Sequence, residues 1–254
     1  MTRVALVTGG GQGIGRATAE RLAKDGIEVV VADIRDNTVR ETVADLTSQG
    51  ARATGIQVDI GDEASVIHAF DVIRDRYGKL DILVNNAAII GIATDGYRPP
   101  LADMPLSTWS STIHVNVTGT FLMCRGAIPL LRRGNDARIV NVASLAGRMH
   151  TRTSNGNYTA SKAAVIGLSR ALAAYLGASG VTVNCIAPAR VPTPMTLSAA
   201  KGNAEYFKSS AELSAIGRVA TPNDMANAIA FLCSDKSKFI TGAIVDVNGG
   251  FFMP

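Results

Sequence analysis

Aromatic residues make up only 5% of this 254-residue chain, and charged residues only 18%. The core must therefore rest on Ala, Val, Ile and Leu, and a hydrophobic share of 47% excludes intrinsic disorder. Cysteine and histidine are equally scarce, with three of each. Cys124, Cys185 and Cys233 stand too far apart for a disulfide framework or a zinc site. His68, His114 and His150 are as widely scattered, so no metal is expected. Thiol usage of this kind fits a reducing, cytoplasmic setting. No apolar run approaches the roughly 18 residues needed to span a bilayer, and the run at 4–7 is too short for a signal-peptide core. A net charge of +4 and a pI near 9.1 hint at an anionic partner. The cations are dispersed and have no interleaved aromatics, however, which argues against a nucleic-acid face. The expected partner is a small molecule, with no nucleic acid and no membrane.

What the chain does contain is rhythm. Short β-branched or Leu-rich runs at 4–7, 28–32, 53–58, 81–84, 138–142, 182–186 and 243–247 predict strands. Segments of helical period lie between them, as at 16–25, 35–48 and 63–77. Continuous runs such as Val29-Val30-Val31 are the mark of strands covered on both faces. The expected fold is α/β, a doubly wound parallel sheet of Rossmann type with helices on both faces. With no linker or low-complexity tract, residues 1–254 are expected to form a single dinucleotide-binding domain. Two longer irregular regions, 91–105 and 187–217, interrupt the rhythm, and the second is expected to cover a substrate.

Directly after the first strand comes Thr8-Gly9-Gly10-Gly11-Gln12-Gly13-Ile14-Gly15. No frame satisfies G-x-G-x-x-G, but a glycine turn between a strand and a helix N-terminus lets the backbone approach a pyrophosphate. Asp33 ends the second strand, where a carboxylate accepts hydrogen bonds from a ribose and repels a 2′-phosphate. Gln12 brings no compensating charge, and Arg35 is the nearby cation that could. Asn85-Asn86-Ala87-Ala88 closes the fourth strand, where paired amides either face the crevice or tie down a loop. Tyr158 and Lys162, four apart in a helical segment, share a face, and an ammonium there favours the phenolate. Ser144 ends the fifth strand, where its hydroxyl can bind a substrate oxygen.

This ordered set of motifs resembles the short-chain dehydrogenase/reductase family in its common form of about 250 residues. It comprises the glycine turn, Asn86-Ala87, Asn116 in a long helix, Ser144, Tyr158-x-x-x-Lys162, Pro188 to Met195 and Gly249-Gly250. The resemblance implies a seven-stranded sheet and an assembly of four identical chains. It also implies that Tyr158 is the general acid/base, that Lys162 lowers its pKa and holds the nicotinamide ribose, that Ser144 polarises the carbonyl, and that Asn116 positions a relay water. Cofactor contacts are implied for Gly9, Gly11, Gln12, Gly13 and Ile14, and beside Asp33 for Ile34, Asp59 and Ile60. Further along they are implied for Asn86, Ala87 and Ala88, and then for Pro188, Val191 and Thr193. Three departures stand out: Ala189 and Asn248 where the family usually has Gly and Asp, and a Ser144–Tyr158 interval one residue longer than common.

The leading expectation is an NAD-dependent oxidoreductase interconverting a secondary alcohol and a ketone. The Asp33 carboxylate makes NADP the less favoured cofactor. An NADPH-dependent ketoreductase acting on 3-oxoacyl carrier-protein thioesters is the alternative, and a non-catalytic nucleotide sensor is a distant third. The polar stretch after Ser144, with Arg148 and His150 as substrate contacts, suggests a polar metabolite.

Overall fold

The computed structural model describes residues 2–91, 100–149, 155–200 and 205–254. Every apolar run becomes a strand: β1 (Val4–Thr8), β2 (Glu28–Asp33), β3 (Ala53–Gln57), β4 (Ile82–Asn85), β5 (Arg138–Val142), β6 (Thr182–Pro188) and β7 (Ile244–Val247). All pair parallel in one sheet of order β3-β2-β1-β4-β5-β6-β7. The helices are α1 (Gly13–Lys24), α2 (Asp36–Ser48), α3 (Glu63–Tyr77), α4 (Leu106–Ile113), α5 (Thr120–Leu131), α6 (Gly156–Leu176), α7 (Pro194–Ala200), α8 (Glu205–Leu213) and α9 (Pro222–Cys233).

The period of two along a strand explains why the central strands read as unbroken apolar runs. In β1, Val4 and Leu6 enter a core completed by α3, α5 and α6. Ala5 and Val7 enter a second core, completed by α1, α2 and α9. Burying a Val or Leu side chain contributes about 1.5–3 kcal/mol, so a strand apolar on both faces is stable only when both are covered. The edge strands β3 and β7 are less buried, and their sequences are correspondingly mixed.

Two expectations change. The region 187–217 is not irregular throughout, since it contains α7 and α8. The overlooked signal is Thr193-Pro194: the Thr193 hydroxyl accepts from the Thr196 amide at 3.3 Å, and proline suits a first helical position. The Thr221-Pro222 pair starts α9 in the same way, with a full capping box to Asp224. Asn116 does not lie in a plain helix but in a π-helical turn, His114–Gly119, that joins α4 to α5. Such widened turns concentrate at functional sites.

Because the chain leaves β1 towards β2 and returns at β4, a crevice opens at the carboxyl ends of β1 and β4. The glycine turn, Asp33 and the Asn85-Asn86 pair all stand on that edge.

Candidate active site

The glycine turn is held from several sides. Gly9 and Gly13 take φ of 62° and 55°, in the left-handed region that favours glycine. Any Cβ on Gly15 would collide with the Gly9 carbonyl. Asn86 Nδ2 donates to the Thr8 and Gly9 carbonyls at 3.0 and 3.2 Å, while Thr8 Oγ1 accepts from the Asn86 and Ala87 amides at 3.0 and 3.1 Å. Asn86 and Ala87 thus hold the turn, with half-buried Ala88 following them. Asn85 points the other way, into the core, donating to Asn141 Oδ1 at 2.8 Å and to Cys124 Sγ at 3.2 Å. Asn86 thus ties down the turn, one of the two expectations for the pair, whereas Asn85 takes neither and belongs to the core.

The N-terminus of α1 is open. Its cap, Gln12, makes no side-chain bond, and the first turn, which begins Gly13-Ile14, carries no acidic residue. Free amides and the positive end of the helix dipole there suit a pyrophosphate. Asp33 is 6% exposed; it accepts from the Gly11 amide at 3.2 Å and the Arg35 amide at 3.2 Å. The Arg35 guanidinium stands 3.7 Å from Asp33 Oδ1. Beside it Ile34 is 57% exposed, a flat apolar surface at the rim of the crevice. Val58 donates to the Asp33 carbonyl at 2.9 Å, which brings Asp59 and Ile60 alongside; Asp59 Oδ1 accepts from Gly61 at 2.8 Å. From the far side of the crevice, Thr193 lies against Gly13, whose Cβ would meet it at 3.1 Å. Buried Pro188 and Val191 lead into Thr193. A dinucleotide therefore fits the residues present: uncapped amides, glycines that let it approach, and a carboxylate at the ribose end. Ala189 has no positive φ, so alanine replaces the family's usual glycine without backbone strain.

Lys162 is the centre of the second half of the site. It is buried on α6, one turn after Tyr158, with Nζ 5.7 Å from the tyrosine ring centroid. Nζ donates to the Val142 carbonyl at 2.8 Å, two residues before Ser144. Burial lowers its pKa to about 8. Ser144 is half-buried, and its Oγ accepts from the Ala146 amide at 3.2 Å. Gly147 lies against Lys162, where a Cβ would come within 2.8 Å of its carbonyl carbon. The serine turn and the lysine are thereby packed as one unit.

Two residues that sequence reasoning missed brace α6. Ser161, inside the Tyr158–Lys162 motif, accepts from Asn116 Nδ2 at 3.0 Å and donates to the Tyr158 carbonyl at 2.8 Å. Asn116 also pairs with the Ile89 amide and carbonyl at 2.8 and 2.9 Å, so its side chain ties the chain after β4 to α6. Asn157 donates to Thr112 Oγ1 at 2.8 Å and to the Gly91 carbonyl at 3.3 Å.

The other candidates are placed as follows. Arg148 forms a bidentate pair with Asp246 at 3.1 and 2.9 Å. His150, with the rest of 150–154 in the long Ser144–Tyr158 interval, lies outside the described residues. The three thiols are buried and pushed up to about 12, 11 and 12 for Cys124, Cys185 and Cys233, which makes them poor nucleophiles. Among the described residues no cluster could hold a metal, and no helix is long and apolar enough to cross a membrane.

Comparison with known proteins adds an independent line. Residues 9–252 match the family described as Enoyl-(Acyl carrier protein) reductase. The (2S)-[(R)-hydroxy(phenyl)methyl]succinyl-CoA dehydrogenase subunit BbsD of Thauera aromatica is 38% identical, covering 98% of this chain and 96% of its own. The cis-4-hydroxycyclohexanecarboxylate dehydrogenase of Sinomonas cyclohexanicum is 37% identical over 98% of this chain and 96% of its own. Among solved structures, a 3-oxoacyl-[acyl-carrier protein] reductase with bound NAD from Brucella melitensis superposes with a TM-score of 0.88 at 32% identity. It covers 99% of this chain and 92% of its own. With relatives over its whole length and a Rossmann-type sheet that binds a nicotinamide dinucleotide, the chain belongs to the short-chain dehydrogenase/reductase family, oxidoreductases that act on hydroxyl and carbonyl groups.

Proposed function

We propose that this protein is an NAD(H)-dependent dehydrogenase that interconverts a secondary alcohol and a ketone on a small polar metabolite. The observation that carries the reading is the packing of Tyr158, Lys162 and the Ser144 turn as one unit on the carboxyl edge that also bears the glycine turn. When bound, the nicotinamide supplies or accepts the hydride. The Tyr158 hydroxyl gives its proton to the substrate oxygen in reduction and takes it back in oxidation. Ser144 Oγ donates a hydrogen bond to the same oxygen, and the Lys162 ammonium favours the phenolate. Asn116, through Ser161, keeps α6 in register with the crevice. The test is a substrate panel followed by reduced-nicotinamide absorbance with both cofactors. Failure of every alcohol and ketone to support turnover would overturn the reading.

Asp33 decides the cofactor. A carboxylate facing a 2′-phosphate costs several kcal/mol, so NAD is expected to be preferred. Asp33→Asn keeps an acceptor for Gly11 and removes the charge, so the NAD-to-NADP preference in kcat/KM should narrow at least about tenfold. The competing reading, an NADPH-dependent ketoreductase for 3-oxoacyl carrier-protein thioesters, rests on Arg35 beside Asp33. Better turnover with NADP than with NAD would establish that reading instead.

Polarity of the substrate has support from the relatives, two of which are named for carboxylate- or succinyl-CoA-bearing compounds. Arg148 and Asn157 bond to the protein itself, so direct recognition falls to other residues of the stretch after Ser144.

Assembly into a tetramer is supported by the outer face of α6, where Ala163, Ala164, Gly167 and Ala171 form an exposed stripe of small residues. Trp109 on α4 and Phe121 on α5 are 36% and 44% exposed nearby. Light scattering at micromolar concentration should give the mass of four chains; a stable monomer would count against this assembly.

A further inference from the structure

The C-terminal strand and tail form a hook that reaches back to the Ser144 turn. β7 carries Asp246, and both its carboxylate oxygens take the Arg148 fork at 3.1 and 2.9 Å. The pair is largely shielded, with side-chain exposures of 19% and 15%. Two residues later, Asn248 accepts from the Gly250 amide at 2.9 Å through Oδ1 and donates to the Phe252 carbonyl at 3.1 Å through Nδ2. An aspartate, usual at this place, could make the first bond but not the second. The amide therefore closes the tail into a hook and brings the Phe252 ring under the Arg148 guanidinium, 5.3 Å from its centroid. A planar guanidinium held by a bidentate carboxylate on one side and a ring on another has a fixed orientation.

Arg148 is in turn rigidly joined to Ser144. Gly147 donates to the Ser144 carbonyl, and Arg148 and Met149 both donate to the Leu145 carbonyl, at 2.9, 2.9 and 3.0 Å. The hook also receives the chain returning from α8, since the Gly249 carbonyl accepts from Ser214 Oγ at 3.0 Å and the Ile216 amide at 3.2 Å. One C-terminal segment thus touches both the serine turn and the segment opposite it.

We propose that Asp246, Asn248 and Phe252 are positioning residues that act through Arg148 to set Ser144 against the substrate oxygen. The proposal rests on the reading of Ser144 given above. Two readouts on Asp246→Ala test it together. Hydrogen exchange of the 145–149 amides should quicken at least about tenfold, with the β5 amides unchanged. Displacing the serine should lower kcat about tenfold while cofactor affinity stays within about twofold. Asn248→Asp should move both in the same direction, and the exchanged pair Arg148→Asp with Asp246→Arg should recover part of each. Unchanged exchange in Asp246→Ala would overturn the proposal, as would quickened exchange with wild-type kcat. If the wild-type protein turns over nothing in the panel, the proposed function fails, and exchange alone decides whether the hook orders the serine turn.

Discussion

Replacing Tyr158 by phenylalanine should lower turnover by at least about 10²-fold while leaving cofactor binding close to wild type, because general acid/base catalysis contributes 10²–10⁴-fold. The substitution removes one oxygen and keeps the ring that stands over Lys162. The bond that fixes this turn of α6, from Ser161 to the Tyr158 carbonyl, involves only backbone on the tyrosine side and survives. A loss of rate in this variant therefore reports the missing proton donor rather than a shifted helix. Stopped-flow turnover alongside cofactor titration by fluorescence separates the two effects. Retention of most activity would remove Tyr158 from the chemistry; a parallel loss of cofactor binding would show that the hydroxyl holds the cofactor site rather than acting on the substrate alone.

Much of the architecture could be read from the chain because each signal is local. Strands buried on both faces announce themselves as runs such as Val29-Val30-Val31, and all seven strands overlap their expected ranges. The crevice follows from the order of those strands, and the residues on its edge follow from where each strand ends. What escaped was of two kinds. Some was local but overlooked, such as Thr193-Pro194 at the start of α7, where a cap and a first-turn proline stand together. The rest depends on contacts across distant elements. Arg148 and Asp246 are 98 positions apart, and only the placement of β7 beside β6 brings them together. For that reason a cation four residues after Ser144 suggested substrate recognition, and no sign of its carboxylate partner at the other end of the protein could be read from sequence alone. The π-helical turn at Asn116 is likewise invisible to a hydrophobic period, which hardly distinguishes a widened turn from a regular one.

Lys162→Met should lose activity at least as severely as the tyrosine variant and also weaken cofactor binding, since in the proposed role the ammonium serves both partners. Its effect on stability should run the other way with pH. Burial lowers the Lys162 pKa from 10.5 to about 8, so the unfolded chain holds this proton more tightly than the folded one. Folding stability therefore carries the full cost of the buried charge below about pH 8 and regains it as pH rises towards 10.5. Two pH units of such a difference, at 1.36 kcal/mol each, amount to about 3 kcal/mol. Methionine carries no proton and escapes this cost, but it leaves the Val142 carbonyl without its 2.8 Å donor, a loss of about 1–3 kcal/mol. The two terms nearly offset at neutral pH, where the variant should be about as stable as wild type. By pH 10 the neutral amine still donates to Val142 and the charge penalty has gone, so wild type should be the more stable by about 3 kcal/mol relative to the neutral-pH comparison. Urea unfolding of both proteins without cofactor at pH 7 and pH 10 measures the change. A stability difference that does not move with pH would place the Lys162 titration at its ordinary value and remove burial as the force that tunes it.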